Sequence, residues 1–567
     1  MQDDRRLNVV LCWHMHQPQY RDHASSEWRQ PWTYLHTIKD YTDMAAHLEH
    51  ARGAKAVVNF APVLLEQISA YGQQLTAHQE KGEGLSDPLL SALAAEKLPQ
   101  DAKQRYMIIR ACLRANEDRV INRYPEYLKL AEMARQYVED ENMLVYLSDA
   151  FLSDLLVWYH LAWLGESVRR SNVRIKALIK QGCHYTHEQR HELLAIVAEL
   201  INGIIERYRR LAELGVVELS VSPYAHPIVP LLLDFKSARE AVPNIDLPGN
   251  DCYPGGEERA RWHIDKAFSV FEQYFGFKPT GCWPSEGSMS EHTVRLLGEA
   301  GFQWAAGGES TLHNSLDGQE KDGAGKAWLY QPYQLEQRGL KLFFRDDRLS
   351  DLIGFEYATW HADDAVANLI HELTEISRQL DKPGDHVVSI ILDGENAWEH
   401  YPNNGWYFLK ALYKKLGAHS ELRLTTFTQA SQKISAQKLK RLVAGSWVYG
   451  TFTTWIGDKD KNRGWDLLVD AKHAFDDVIA HGLSGRKLIE AEGQLAICEG
   501  SDWFWWLGDY NPAQAVRDFE RLFRDQLRQF YLIIGVSPPA VLDVPLSEGK
   551  GEPEAGGVMR KGQRMAH

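Results

Sequence analysis

His386-Val387-Val388-Ser389-Ile390-Ile391-Leu392 runs straight into Asp393-Gly394-Glu395-Asn396-Ala397-Trp398-Glu399-His400. An apolar run of this length, rich in β-branched residues, reads as a strand buried on both faces, the kind found in parallel sheets. Its far end turns abruptly acidic and aromatic. Working outward, the same design recurs. Leu7–Trp13 leads into His14-Met15-His16-Gln17-Pro18, and Val216–Ser222 into Pro223-Tyr224-Ala225-His226-Pro227. A weaker run through Pro279 ends in Gly281-Cys282-Trp283-Pro284-Ser285-Glu286-Gly287. Ala56–Phe60, Phe302–Ala306 and Leu340–Phe344 complete a set of seven strand candidates, with helical patterns between them. Strand–helix alternation predicts an α/β fold, either a barrel or a doubly wound sheet. Seven strands fit an incomplete or distorted barrel.

In such folds the carboxyl ends of the strands gather at one face, and that face carries the site. Four polar, aromatic-flanked strand ends would therefore converge. Glu286 and Asp393 become a candidate carboxylate pair. Glycoside cleavage needs two such groups, one to attack or to activate water and one to protonate the leaving oxygen. Asp393 follows an apolar run, so partial burial would raise its pKa, as an acid requires. Either carboxylate alone could instead cap a helix or pair with an arginine.

The bulk of the sequence bounds the reading. With 567 residues, the chain suits a large domain plus a smaller one. Residues 1–404 are expected to hold the barrel, with a helical insertion at about 70–213. There Leu193, Val197, Leu200, Ile204 and Leu211 share a face, and Thr186 with Gln189 forms a capping-box pattern. Residues 405–545 are expected to form a C-terminal helical domain that closes the cleft. The tail, 546–567, is rich in Gly, Glu and Lys and is predicted to be disordered. A net charge of -14 argues against nucleic acid as a partner. No apolar run reaches the length of a membrane span. Six scattered cysteines without a CxxC pair, and a start that runs into a strand rather than a signal peptide, predict a cytoplasmic protein. The 18 Trp and 24 Tyr exceed what a core demands and suit sugar faces.

Taken in order, five segments resemble the signature regions of glycoside hydrolase family 57. They are His14–Pro18, Gly215–His226 with Glu218, Gly281–Glu286, Leu392–Asn396 and Ser501-Asp502-Trp503-Phe504-Trp505-Trp506. Within that family, Gly445-Ser446-Trp447 and Thr451–Gly457 are most similar to the amylopullulanase-like branch. The resemblance implies a distorted (β/α)7 barrel followed by a helical domain. It implies a retaining, double-displacement mechanism on α-glucans, with Glu286 as nucleophile and Asp393 as general acid/base. It places His14, His16, Gln17 and His226 around the sugar. Trp283, Arg345, Glu395, Trp398, Trp455, Asp502, Trp503 and Trp506 are the further candidates for substrate contact. Neither a cofactor nor a catalytic metal is implied.

Other readings of these residues stand beside that one. A glucanotransferase or branching enzyme would share the glycosyl-enzyme and differ only in what intercepts it. His14-x-His16 near an Asp also suits a metal-dependent mannosidase or deacetylase. A silent glucan-binding protein would not need both carboxylates. His184, His187 and His191 have metal-compatible spacing but read as a solvated helix face. Asp458–Gly464 imitates a calcium loop but has Arg463 where glycine is needed, and reads as an exposed loop near the cleft. Gly323–Lys326 reads as a flexible turn. Linkage preference, α-1,4 against α-1,6, and oligomeric state are not legible here.

Overall fold

A computed structural model describes residues 5–22, 25–316, 326–335, 339–551 and 559. Gly323–Gly325 and most of the tail lie outside these residues. Ten strands form one sheet: β1 (Leu7–Met15), β2 (Ala56–Phe60), β3 (Val217–Val221), β4 (Gly281–Cys282), β5 (Trp304–Gly307), β6 (Tyr333–Leu335), β7 (Lys341–Phe344), β8 (Val387–Asp393), β9 (Leu422–Leu424) and β10 (Gln437–Leu439). Seven of them, β7-β5-β4-β3-β2-β1-β8, are parallel neighbours in that order.

The ring closes through a seam. Arg345, just past β7, makes an isolated parallel bridge to Ser389 of β8. The Asp346 N–H donates to the Ser389 carbonyl at 2.8 Å, and the Arg345 Nε–H to the Ile391 carbonyl at 2.8 Å. By contrast β1 and β8 run in register from Asn8↔Val387 to His14↔Asp393. The chain is thus a distorted (β/α)7 barrel. The period of two sorts its strand residues onto two faces. Val10, Cys12, Val57, Ala306, Phe343 and Ile391 fill the inside, while Val9, Leu11, Trp13, Val58 and Phe60 face the surrounding helices. Gly281 is required on β4, because a Cβ there would lie 1.8 Å from the Trp304 indole.

A helical insertion occupies the β2–β3 connection, from Pro62–Lys81 to His187–Glu213. The capping box at Thr186 and Gln189 forms as its pattern predicts. His187 and His191 are not simply solvated, since both ring Nε2 atoms reach the Ala94 carbonyl, at 3.4 and 2.8 Å. Four helices end the chain: Lys459–Ala480, Gly485–Cys498, Ser501–Trp506 and Ala513–Ile533.

Three expectations change. The sheet continues past residue 405, because β9 pairs with β1 and β10 with β6. Asp458–Gly464 is no exposed loop. Asp458 caps the helix Lys459–Ala480, and the Lys461 ammonium is buried on the carbonyls of Phe504 and Leu507. Leu546–Gly551, taken as the start of a disordered tail, is docked. Gly551 bridges Pro512, and Ser547 Oγ accepts from the Gly508 N–H at 3.1 Å.

Candidate active site

The carboxyl ends of the barrel strands surround a cavity of about 330 Å³. From β1 come His14, His16 and Gln17; from β4, Glu286; from the β7 end, Arg345; and from β8, Asp393 and Glu395. Asp502, Trp505 and Trp506 close it from the helix Ser501–Trp506. The sequence-predicted carboxylates therefore share one chamber.

Glu286 sits in a tight turn, Ser285–Gly287, at φ 57° and ψ 26°. That is the left-handed region, uncommon for a residue with a side chain. A loop from the C-terminal third holds it there. Met289 and Gly445 form an antiparallel bridge. Trp447 then donates twice to Glu286, from its backbone N–H to the carbonyl at 3.0 Å and from indole Nε1 to carboxylate Oε2 at 2.9 Å. The other carboxylate oxygen, Oε1, lies 3.8 Å from His226 Nδ1. The Arg345 guanidinium lies 5.5 Å over the Trp447 ring.

Asp393 is the last residue of β8, and its Oδ2 accepts from Asn396 Nδ2 at 3.0 Å. Withdrawal from water pushes its pKa up to about 6; Asn396, His16 and Arg345 oppose the rise and Asp502 adds to it. A carboxyl group so raised can give and retake a proton near neutrality.

Three imidazoles stack beside the carboxylates. His16 and His226 are 4.0 Å apart between ring centres, and His14 lies 4.9 Å from His226. His14 Nδ1 pairs with Asn59 Oδ1 at 2.7 Å, and Asn59 Nδ2 donates in turn to Ser220 Oγ at 3.1 Å. With the Asn59 oxygen as acceptor, His14 Nδ1 carries the hydrogen. Burial, reinforced by His16, depresses the His14 pKa to about 3, so the ring is neutral. Burial also drives His226 well below its ordinary value. His16 Nε2 pairs with Asp502 at 2.9 Å, and His226 Nδ1 with Ser501 Oγ at 3.0 Å, tying both strand ends to the C-terminal helices.

His16, His226 and Asp502 bring ligand-type atoms within 4.8 Å of one another. The two rings are stacked with only 22° between their planes. Nitrogen lone pairs lie in the ring plane, so here they run side by side instead of converging on an ion.

Several predicted contacts do not reach the cavity. Trp398 is buried behind the site against Trp13, with its Nε1–H on the Gly394 carbonyl. Trp503 is buried on Phe523 and donates to the Ile497 carbonyl. Trp455 lies beneath Trp505, and Trp283 forms the floor under His14 and Trp447. These rings shape the site from behind, because flat apolar side chains pack wherever the core has room. Glu218 lies at the opposite barrel end, bonded to Trp304 and Thr428. Trp447 was not among the predicted contacts, as no strand precedes it; its one signal was the Gly445-Ser446-Trp447 motif. Trp32 and Phe519, which also line the cavity, carried no motif at all.

A two-carboxylate site at the mouth of a seven-stranded barrel, walled by histidine and tryptophan, defines an enzyme of the glycoside-cleaving class. The chain belongs to glycosyl hydrolase family 57, whose sequence profile matches residues 10–444. Its fold is similar to a branching enzyme of that family from Thermococcus kodakaraensis (16% identity, 93% of this chain and 90% of the other, TM-score 0.55). It is similar too to a branching enzyme from Pyrococcus horikoshii (16%, 96% and 97%, 0.54) and to the α-amylase AmyC from Thermotoga maritima (13%, 95% and 98%, 0.53). No curated protein matches the sequence.

Proposed function

We propose that the protein cleaves α-glucans with retention of configuration, Glu286 acting as nucleophile and Asp393 as acid/base. The observation that carries this is the unlike treatment of the two carboxyl groups. Glu286 receives a charged-acceptor hydrogen bond from Trp447, which favours the ionised form a nucleophile needs. Asp393 is held near the pKa of a proton shuttle. In the first half-reaction Glu286 attacks the anomeric carbon as Asp393 protonates the leaving oxygen. In the second, Asp393 takes a proton from water or a sugar hydroxyl, which displaces Glu286. The neutral ring of His14 at the cavity wall offers a hydrogen bond without adding positive charge, while His226, stacked against His16, does not line the cavity. The α-glucan substrate is supported by the family and by its solved members, among which amylase and branching activities are named. A cytoplasmic location is supported by six unpaired thiols. No helix among the described residues is long and apolar enough to cross a membrane.

The test is incubation with glycogen, pullulan and maltooligosaccharides, with products resolved by size and linkage. Shorter chains and new reducing ends support hydrolysis. Longer or newly branched chains without new reducing ends assign the transferase form of the same mechanism. No change in any substrate overturns the reading.

A further inference from the structure

Glu395 takes no part in the steps above, yet its carboxyl group sits at the cavity wall and is only 2% exposed. Oε1 accepts from the His16 backbone N–H at 3.3 Å and from Gln17 Nε2 at 3.2 Å. Gln17 is fixed in turn, since its Oε1 accepts from Tyr20 Oη at 2.9 Å. Glu395 Oε2 is buried and has no hydrogen-bond partner among the described residues. Nor does any Lys or Arg among them pair with this group.

Its charged surroundings are unfavourable to a second anion. Asp393 lies two residues before it; Asp40, paired with Lys39 and His36, faces it from the segment after β1; and Asp502, opposed by Arg114, acts on neighbouring Tyr20. Tyr20 and Tyr41 add only phenols, and His16 is already engaged by Asp502. A carboxylate with a bare buried oxygen and like-charged neighbours costs more than the un-ionised acid in the same place. Burial first, then Asp393 and Asp40, push the Glu395 pKa well above the ordinary carboxyl range.

We propose that Glu395 is a positioning residue that works as a neutral carboxylic acid. It clamps the His16 backbone and the Gln17 side chain onto the end of β8 that carries Asp393. By staying uncharged it leaves Asp393 as the single proton-exchanging group on that wall. The kinetic part of this inference rests on the acid/base reading of Asp393. An ionised Glu395 would instead couple to Asp393, and the two would titrate as a pair.

The experiment has a spectroscopic and a kinetic arm. An infrared difference spectrum, unliganded native protein minus Glu395→Gln at neutral pH, should show loss of a protonated-carboxyl C=O band. Glu395→Gln, which keeps a neutral side chain at the clamp, should leave the basic limb of the pH profile within about half a unit of its native position. Glu395→Ala should lower kcat about tenfold or more with that limb unmoved. Absence of the band, or a fall of the limb by about one unit or more in Glu395→Gln, overturns the proposal. Should Glu395→Gln fail to fold, carbon-13 labelling of glutamate carboxyls in the native protein decides. A glutamate signal that stays un-ionised through neutral pH supports the proposal, and its absence overturns it. Native protein that shows the band but cleaves no glucan refutes the proposed function and leaves the protonated state of Glu395 standing.

Discussion

The indole of Trp447 donates to Glu286 at 2.9 Å across 161 residues of sequence. The C-terminal third of the chain thereby reaches into the barrel mouth and grips the proposed nucleophile. Trp447→Phe keeps the ring and deletes the donor. A hydrogen bond to a charged group contributes about 1.5–3 kcal/mol, so kcat/KM should fall about 10- to 100-fold. Melting temperature should change little. Native kinetics in this variant would show that the bond has no catalytic weight.

Asp393 must be protonated to act as acid. Because its pKa is about 6, kcat/KM on glucans should decline as pH rises through that value. The same shift has a stability consequence. A folded-state pKa above the ordinary 3.8 contributes stability that is complete below 3.8 and lost as pH climbs through about 6. Asp393→Asn should abolish the basic limb and raise the melting temperature at pH 7 relative to the native protein. Calorimetry and a pH–rate series check both signs.

The two carboxylates should respond differently to rescue. Glu286→Gln should be inactive on every substrate, since no glycosyl-enzyme can form. Asp393→Asn should recover on activated aryl glucosides, which leave without a proton, and recover further with azide to give the α-glucosyl azide. If azide rescues Glu286→Gln to the α product while Asp393→Asn stays inert, the roles are reversed. A β-anomeric first product from the native enzyme would rule out retention.

Neighbouring tryptophans of one short helix should separate binding from folding. Trp506 lines the cavity and stacks on Phe519 at 4.9 Å, so Trp506→Ala should weaken binding of long glucans. Trp503 is buried, so Trp503→Ala should cost about 3–5 kcal/mol of stability. Isothermal titration and denaturant melts distinguish the two. Equal effects of both variants on binding, with unchanged stability, would contradict this assignment.

Activity should survive exhaustive chelation. The stacked His16 and His226 rings do not aim their lone pairs at a common point. Loss of activity restored by zinc alone would restore the metal reading.

The strand ends were legible in the sequence because burial on both faces forces a long apolar run, and a polar residue following one is conspicuous. Glu286, Asp393, His14, His16 and His226 were singled out as candidates that way or through the family motifs. What the sequence concealed depends on long-range docking. Trp447 sits in a loop without periodicity, placed by the bridge from Gly445 to Met289. Trp503 was chosen for contact alongside Trp506 because composition does not say which face of Ser501–Trp506 points outward. Burial selected Trp505 and Trp506 for the cavity and Trp503 for the interior. The short strands β6, β9 and β10, of three residues each, carry too few side chains to show a pattern.

The seam between β7 and β8 gives the barrel an uneven mechanical strength. Between most staves a ladder of backbone bonds does the joining, although β3 and β4 share only the pair Val221↔Cys282. At the seam the contact is one bridge, and the Arg345 side chain supplies much of the rest. This line is therefore one of the places where partial opening should begin. Arg345 and Asp393 stand on either side of it, so such a breach dismantles the catalytic arrangement while the helices stay intact. On gentle heating, turnover should therefore disappear before helical ellipticity does, and the amides of Asp346 and Ile391 should be among the first in the barrel wall to exchange with deuterium.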